Sequence, residues 1–468
     1  MAGISDEQSF WSTVREAIRG TTQDLTAIPI RRAVVLLAVP TVLEMSMESL
    51  LTIVDIFFVS KLGSNAVATV GLTESMLMIV YALAMGLSTG ATALISRRVG
   101  EKDMDGAAIT AVQVLFAAFV GAGALGALGV MLSPRLLALM GATPEVVASG
   151  SGYAAIMLGG SVTIFFLFVV NAIFRSAGDA AAAMRSLWLA NILNILLAPC
   201  LIFGLGPFPR MGVMGAAVAT TVSRGVGVTY QFVLLARGRG RLTILGRHLR
   251  LKWHVLVQLL RIAGTGTLQV LIETASWLGL VRILSGYGSM ALAGYTVAMR
   301  LVMFAMLPSW GLAGAAATLV GQNLGANEPG RAQRSVETIA LYNVVVLGLV
   351  GLLFALFPDA IVGLVTHDTD VTAYAASCLR IVALGFLFFG FGMVAVQAFN
   401  GAGDTLTPMV LNVSSFWLFK IPLAYTLANI VGMGPRGVFI AITAAYSAQG
   451  IVGGILFRRG RWKTKKLD

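Results

Sequence analysis

One hydrophobic stretch, Pro40 to Gly63 (PTVLEMSMESLLTIVDIFFVSKLG), contains the carboxylates Glu44, Glu48 and Asp55. At about 100° per residue in a helix, Glu48 lies roughly 40° round from Glu44, and Asp55 returns to within roughly 20° of it. The spacing predicts one narrow acidic face on an apolar helix, with Pro40 able to bend that helix near its start. An ionised, unpaired carboxylate in an apolar span costs several kcal/mol, so such a face marks a water-filled path or a binding cavity. The chemistry expected of it is reversible capture of a small cation.

The elements that hold this face belong to a membrane protein. Of 468 residues, 57% are hydrophobic and 12% are charged, and the mean hydropathy is +0.86. A soluble domain carries about twice that share of charge. The net charge of +12 does not indicate a nucleic-acid partner, because the basic residues lie between apolar runs and form no continuous face. Residues 1–32 lack the apolar core and small-residue cleavage site of a signal peptide and are expected to form a cytoplasmic surface helix. Cys200 and Cys378 fall in apolar segments and read as packing residues without a disulfide.

Apolar runs place spans near 33–58, 66–95, 107–131, 151–174, 185–204 and 213–236, then near 257–284, 290–319, 335–357, 371–398, 409–430 and 437–457. Twelve spans put both termini on one side. Lys and Arg concentrate in 97–102, 175–185, 237–252, 331–334 and the two tails, which makes that side cytoplasmic. The two halves repeat at an offset of 225 residues without a gap. GLSTGATALISRRVG (86–100) matches GLAGAAATLVGQNLG (311–325), and FRSAGDAAAAM (174–184) matches FNGAGDTLTPM (399–409). Gly63 pairs with Gly288, and Gly212-Val213 with Gly437-Val438. The expected fold is all-α: an N-terminal cytoplasmic segment (1–32), an N-lobe (33–236), a basic linker (237–256), a C-lobe (257–457) and a basic tail (458–468). Six spans per lobe give both lobes the same orientation, with the working site between them near the midplane. At this offset Glu48 maps onto Glu273, Glu44 onto Gln269 and Asp55 onto Leu280, so the acidic face has decayed in the C-lobe.

From about residue 30 to 455 the chain resembles the multidrug and toxic compound extrusion (MATE) family, in its bacterial NorM-like branch. The segments that carry the likeness are IVDIFFVSKLGSNAVATVG (53–71), the AGD loops at 177–179 and 402–404, NILNILLAPCLIFGLGPFPRMGVMGAA (191–217) and TLVGQNLGANEPGRA (318–332). The resemblance implies that Asp55 is the first-helix aspartate that binds H⁺ or Na⁺, with Asn194 in the same network. It implies that Glu273 serves cation coupling and substrate binding, and that Pro40 lets the first helix bend. Where the family often has an aspartate this chain has Ala198, so Glu48 or Glu44 is expected to supply the missing acid. Gln269 and Gln397 are assigned with Asp55 and Glu273 to the substrate surface.

A coupling carboxylate must titrate near ambient pH, above the reference value of about 4. Burial and neighbouring carboxylates both act in that direction. The structural readings compete residue by residue. Asp55 could cap or pair at the outer end of its span, Glu74 could satisfy Ser or Thr neighbours, and Arg300 could form an ion pair with Glu273. Asp179 and Asp404 follow Ala-Gly and read as turn and capping residues. His248, His254 and His367 are scattered and make no metal site.

The reading is a cation-coupled antiporter of the bacterial inner membrane. It expels amphipathic, cationic organic compounds by alternating access, as a monomer among membrane lipids and without a cofactor beyond the coupling ion. A flippase for lipid-linked precursors is the alternative; it would call for a large basic groove, against which the acidic face argues. No nucleophile–base pair or metal cluster supports an enzyme.

Overall fold

In hydrocarbon a chain satisfies its backbone N–H and C=O groups only by coiling, and the apolar runs here all become helices. The computed structural model describes residues 2–238, 240–366 and 368–465. His367 and residues 466–468 of the basic tail lie outside the described residues. An amphipathic helix, α1 (Ala2–Arg19), precedes the N-lobe. The N-lobe comprises α2 (Ile30–Ser60), α3 (Ser64–Gly100), α4 (Met104–Leu139), α5 (Pro144–Gly159), α6 (Ser161–Ala177), α7 (Ala180–Phe203) and α8 (Val213–Arg237). The C-lobe comprises α9 (Trp253–Ser285), α10 (Ser289–Gly325), α11 (Pro329–Leu356), the short α12 (Pro358–Gly363), α13 (Thr369–Ala383), α14 (Phe386–Gly401), α15 (Leu406–Ile430) and α16 (Pro435–Arg459).

Counting α5–α6 as one span, ten helical segments among the described residues are long and apolar enough to cross a bilayer, and the bent pair α13–α14 makes an eleventh. The twelfth span, α8, carries Arg224 and is less apolar than the rest. These spans overlap the twelve expected, and most of the helices start a few residues before the apolar run. Asp103 accepts from the Gly106 amide at 2.8 Å to start α4, and Asp179 accepts from the Ala182 amide at 3.1 Å to start α7. Pro40 lies inside α2, which continues through it.

The repeat holds in detail. The fourth span breaks at Gly160, between α5 and α6, and the tenth is bent by 60° at the corresponding Gly385. Among the described residues Lys102 and Asn327, another pair 225 apart, are the non-glycine residues with positive φ, at 61° and 58°. Within α15 the symmetry fails: Val413–Lys420 and Thr426–Ile430 are wound as π-helix.

The lobes meet along α3, which packs on α9 and α10, and along α2, which packs on α10. Their closest approaches are symmetric and made by glycine. A methyl group on Gly100 would stand 2.0 Å from the Gln322 carbonyl oxygen, and one on Gly325 would stand 2.1 Å from that of Arg97, the residue equivalent to Gln322. Gly86 likewise abuts Ala263 and Thr267, while its mate Gly311 abuts Thr41 and Val42. Hydrogen bonds seal the same end. Gln322 Nε2 donates to the Ser176 carbonyl at 2.8 Å, Arg97 Nη2 to that of Lys465 at 2.6 Å, and Arg331 to those of Leu25 and Ile28. This is the end that carries the basic loops.

The linker is bound to the N-lobe. Gln113 Nε2 donates to the Arg250 carbonyl at 2.7 Å, and its Oε1 accepts from the Lys252 amide at 3.1 Å. Asp105 pairs with Arg247 and His248, each at 2.9 Å. On the N-terminal side, Glu16 pairs with Arg32 at 2.6 Å. Burial pushes the Glu16 carboxyl upward, but hydrogen bonds from Arg32 and Thr21 outweigh it and hold the group below its usual range. Cys200 and Cys378 are free thiols.

Candidate functional site

The three carboxylates of α2 do share one side of the helix, but their surroundings differ. Glu44 is 2% exposed and accepts from Asn171 Nδ2 at 2.9 Å and Arg175 Nη1 at 2.8 Å, both on α6. Gln231 of α8 steadies Asn171, its Nε2 donating to Asn171 Oδ1 at 2.6 Å. Glu44 is therefore tied off in a buried ion pair. The C-lobe reproduces this contact without charge. Gln269 stands for Glu44 and Asn400 for Arg175, and the two amides exchange hydrogen bonds of 3.2 and 3.4 Å. Gln269 Nε2 also donates to the Thr405 carbonyl at 2.9 Å, so this buried side chain is spent inside its lobe.

One turn further along α2, Glu48 accepts from Asn191 Nδ2 at 2.9 Å and lies 3.8 Å from Arg224 Nη2 of α8. Arg224 is buried, and its Nη1 has no hydrogen-bond partner among the described residues. Two turns beyond, Asp55 is half-buried, with Arg224, Glu48 and Glu74 of α3 in electrostatic reach. One guanidinium thus serves three carboxylates. Asn194, expected beside Asp55, donates instead to Thr220 Oγ1 at 3.3 Å, and its buried Oδ1 is left without a partner. On α7 the asparagine that reaches an acid is Asn191, one turn earlier, which donates to Glu48. Ala198 is packed in a small apolar cluster with Leu201, Ile202 and Ala219.

In the C-lobe, Glu273 is exposed on α9, beside Lys420 of α15 and the hydroxyl of Tyr446, which donates to it. The expected alternative partner was Arg300, but Arg300 is exposed on α10, where it faces Glu74 of the opposite lobe. Lys420 is only 2% exposed; its Nζ lies 4.2 Å over the Phe416 ring and 5.5 Å from the Tyr446 ring. Gln397 is half-buried on α14. Asp179 caps α7, whereas Asp404 accepts from Thr407 Oγ1 at 2.7 Å.

Glu74, Arg300 and Glu273 occupy the halves of their helices that lie away from the sealed end. Across the lobe boundary Glu74 is in electrostatic reach of Arg300, with the acids Glu48 and Asp55 on the N-lobe side and Glu273, backed by the buried Lys420, on the C-lobe side. The acids and amides of this site can take up a proton or coordinate a small cation. No group of three His, Cys, Asp or Glu among the described residues is placed to hold a metal. Sequence reasoning sees Arg224 and Lys420 as charges inside apolar spans, but it misses their partners and misses Asn191 and Arg175. Their signal was a charge or amide inside an apolar run, which spacing alone does not pair with a partner.

The MatE family model matches residues 40–200 and 267–426. The chain is 26% identical over 443 residues to a probable multidrug resistance protein NorM of Thermotoga maritima, covering 94% of each. It is 25% identical over 430 residues to an FAD transporter of Shewanella oneidensis, covering 91% of this chain and 94% of that one. Among solved structures, one described as MATE in complex with MaL6 is similar with a TM-score of 0.89 at 28% identity, covering 94% of this chain and 99% of that chain.

Proposed function

We propose that this chain, which belongs to the MatE family of multidrug efflux transporters, exchanges H⁺ for amphipathic organic compounds bearing a cationic group. Asp55 is the residue on which proton and substrate compete. The carrying observation is the contrast along α2: Glu44 is closed off with Arg175, while Asp55 stands half-buried among Glu48, Glu74 and Arg224. The guanidinium of Arg224 supports H⁺ over Na⁺. A neighbouring positive charge opposes a metal cation, whereas protonation merely removes a negative charge and frees Arg224 for Glu48. Competition at one site suffices for antiport if each ligand favours a different state of the lobes.

Glu273 is the second substrate contact, from the C-lobe. Gln269 is engaged with Asn400 and Thr405, which leaves it a structural role. The basic loops lie in the cytoplasm of a bacterial cell whose inner membrane the protein spans as a monomer, so the site faces outward with its cytoplasmic end sealed.

The test is efflux from proteoliposomes under a pH gradient or a Na⁺ gradient applied separately, for wild type and Asp55→Asn. We expect wild type to respond to the pH gradient, and Asp55→Asn to lose at least tenfold in driven rate with its folding intact. A response to Na⁺ alone would overturn the assignment of the ion. Full activity in Asp55→Asn would overturn that of the residue.

A further inference from the structure

Between α15 and α16, at the end of the C-lobe that carries the basic loops, lies a cavity of about 550 Å³. Val410, Leu411, Phe419, Val452 and Leu456 give it apolar walls, and Arg459 and Arg461 stand at its mouth. At the equivalent place in the N-lobe, α7 and α8 pack close together. There a methyl group on Gly227 of α8 would stand 3.0 Å from Ala190 Cβ and 3.2 Å from the Ser186 carbonyl of α7. Counting 225 residues on, Gly227 becomes Val452, Ser186 becomes Leu411 and Ala190 becomes Ser415. Larger side chains, together with the π-helical winding of Val413–Lys420, hold the last two helices apart. The slot is thus built by residues that the N-lobe lacks.

Its dimensions and charge fit one class of ligand. From Ala448 to Arg459 the wall follows eleven helical steps, about 16 Å at 1.5 Å per residue. That is one leaflet of a hydrocarbon core about 30 Å thick. Arg459 and Arg461 are exposed, and neither forms a salt bridge among the described residues. Asp404, the acid in the lining, is occupied by the Thr407 hydroxyl. We propose that this slot is a binding site for an anionic phospholipid, with its phosphate on Arg459 and Arg461 and one acyl chain between α15 and α16. Basic pockets between membrane helices favour such headgroups. The π-helical stretch presents Ser414, Ser415 and Phe419 to the slot and Phe416 and Lys420 to the protein interior.

The experiment is native mass spectrometry of the detergent-purified chain titrated with phosphatidylglycerol, phosphatidylcholine or inorganic phosphate. Wild type is compared with Arg459→Gln/Arg461→Gln, with Arg459→Lys/Arg461→Lys and with Val452→Trp, which fills the slot. We expect phosphatidylglycerol to bind wild type at least tenfold more tightly than phosphatidylcholine. The Gln pair and Val452→Trp should each lose that preference, and the Lys pair should retain most of it. Equal retention of both lipids by wild type, or unchanged preference in the Gln pair, would overturn the proposal. So would binding of inorganic phosphate as tight as that of the lipid, since the acyl slot would then contribute nothing.

Discussion

Glu44 and Glu48 sit one helical turn apart on the same side of α2, yet one is locked and the other shared. The difference comes from α6 and α7: Arg175 reaches Glu44 directly, while Glu48 meets Asn191 and, at 3.8 Å, an Arg224 that also serves Asp55. Removing one member of a buried pair strands the other, at a cost of about 3–5 kcal/mol, whereas replacing both by fitting neutral groups is often close to neutral. We therefore expect Glu44→Gln and Arg175→Asn each to lower the thermal unfolding midpoint of the purified protein. The double substitution, which copies Gln269 and Asn400, should recover most of the loss. A double variant as unstable as the sum of the singles would show that the two groups do not act as a pair. The acidic residues of this site are legible in the sequence because carboxylates in an apolar run have few uses. Their partners are not, because spacing along α2 says nothing about which residue of α6, α7 or α8 faces it: Asn191, which no motif singled out, meets Glu48, and Asn194 meets Thr220.

At the level of elements, hydropathy and the 225-residue offset expose the helices and the order of the lobes. The same signals are silent about breaks inside helices. The interruption between α5 and α6 at Gly160 leaves hydropathy unchanged, and so does the π-helical winding of α15. Gly160 is needed for space: a methyl group there would lie 2.6 Å from Thr221 Oγ1 and 2.8 Å from its Cγ2. Gly160→Ala should cost about 1–3 kcal/mol through overpacking, and Thr221→Ala in the same chain should return part of it. The comparison is read by unfolding midpoints in detergent. No recovery in the pair would place the strain in the backbone of the break instead of at α8.

For the whole molecule, the state seen here depends on backbones touching at Gly100 and Gly325. A methyl group at either position wedges the lobes apart only when the basic end is closed. Gly100→Ala should therefore disfavour this state by about 1–3 kcal/mol, a shift of roughly 5- to 150-fold toward opening of that end. Spin labels at Glu101 and Glu328, with Cys200 and Cys378 replaced, would report it as a longer interlobe distance; an unchanged distance distribution would mean that the helices absorb the methyl group elsewhere. The unbroken offset between the lobes has a wider consequence. Each lobe is a folded variant of the other, so every position is accompanied by a natural substitution that the same architecture tolerates. Glu48 and Glu273 kept their acid, while Asp55 corresponds to Leu280, Glu74 to Met299 and Arg224 to Gln449. Where mates have parted chemically, the shared architecture no longer explains the residue, and those positions are where the two halves can differ in what they do.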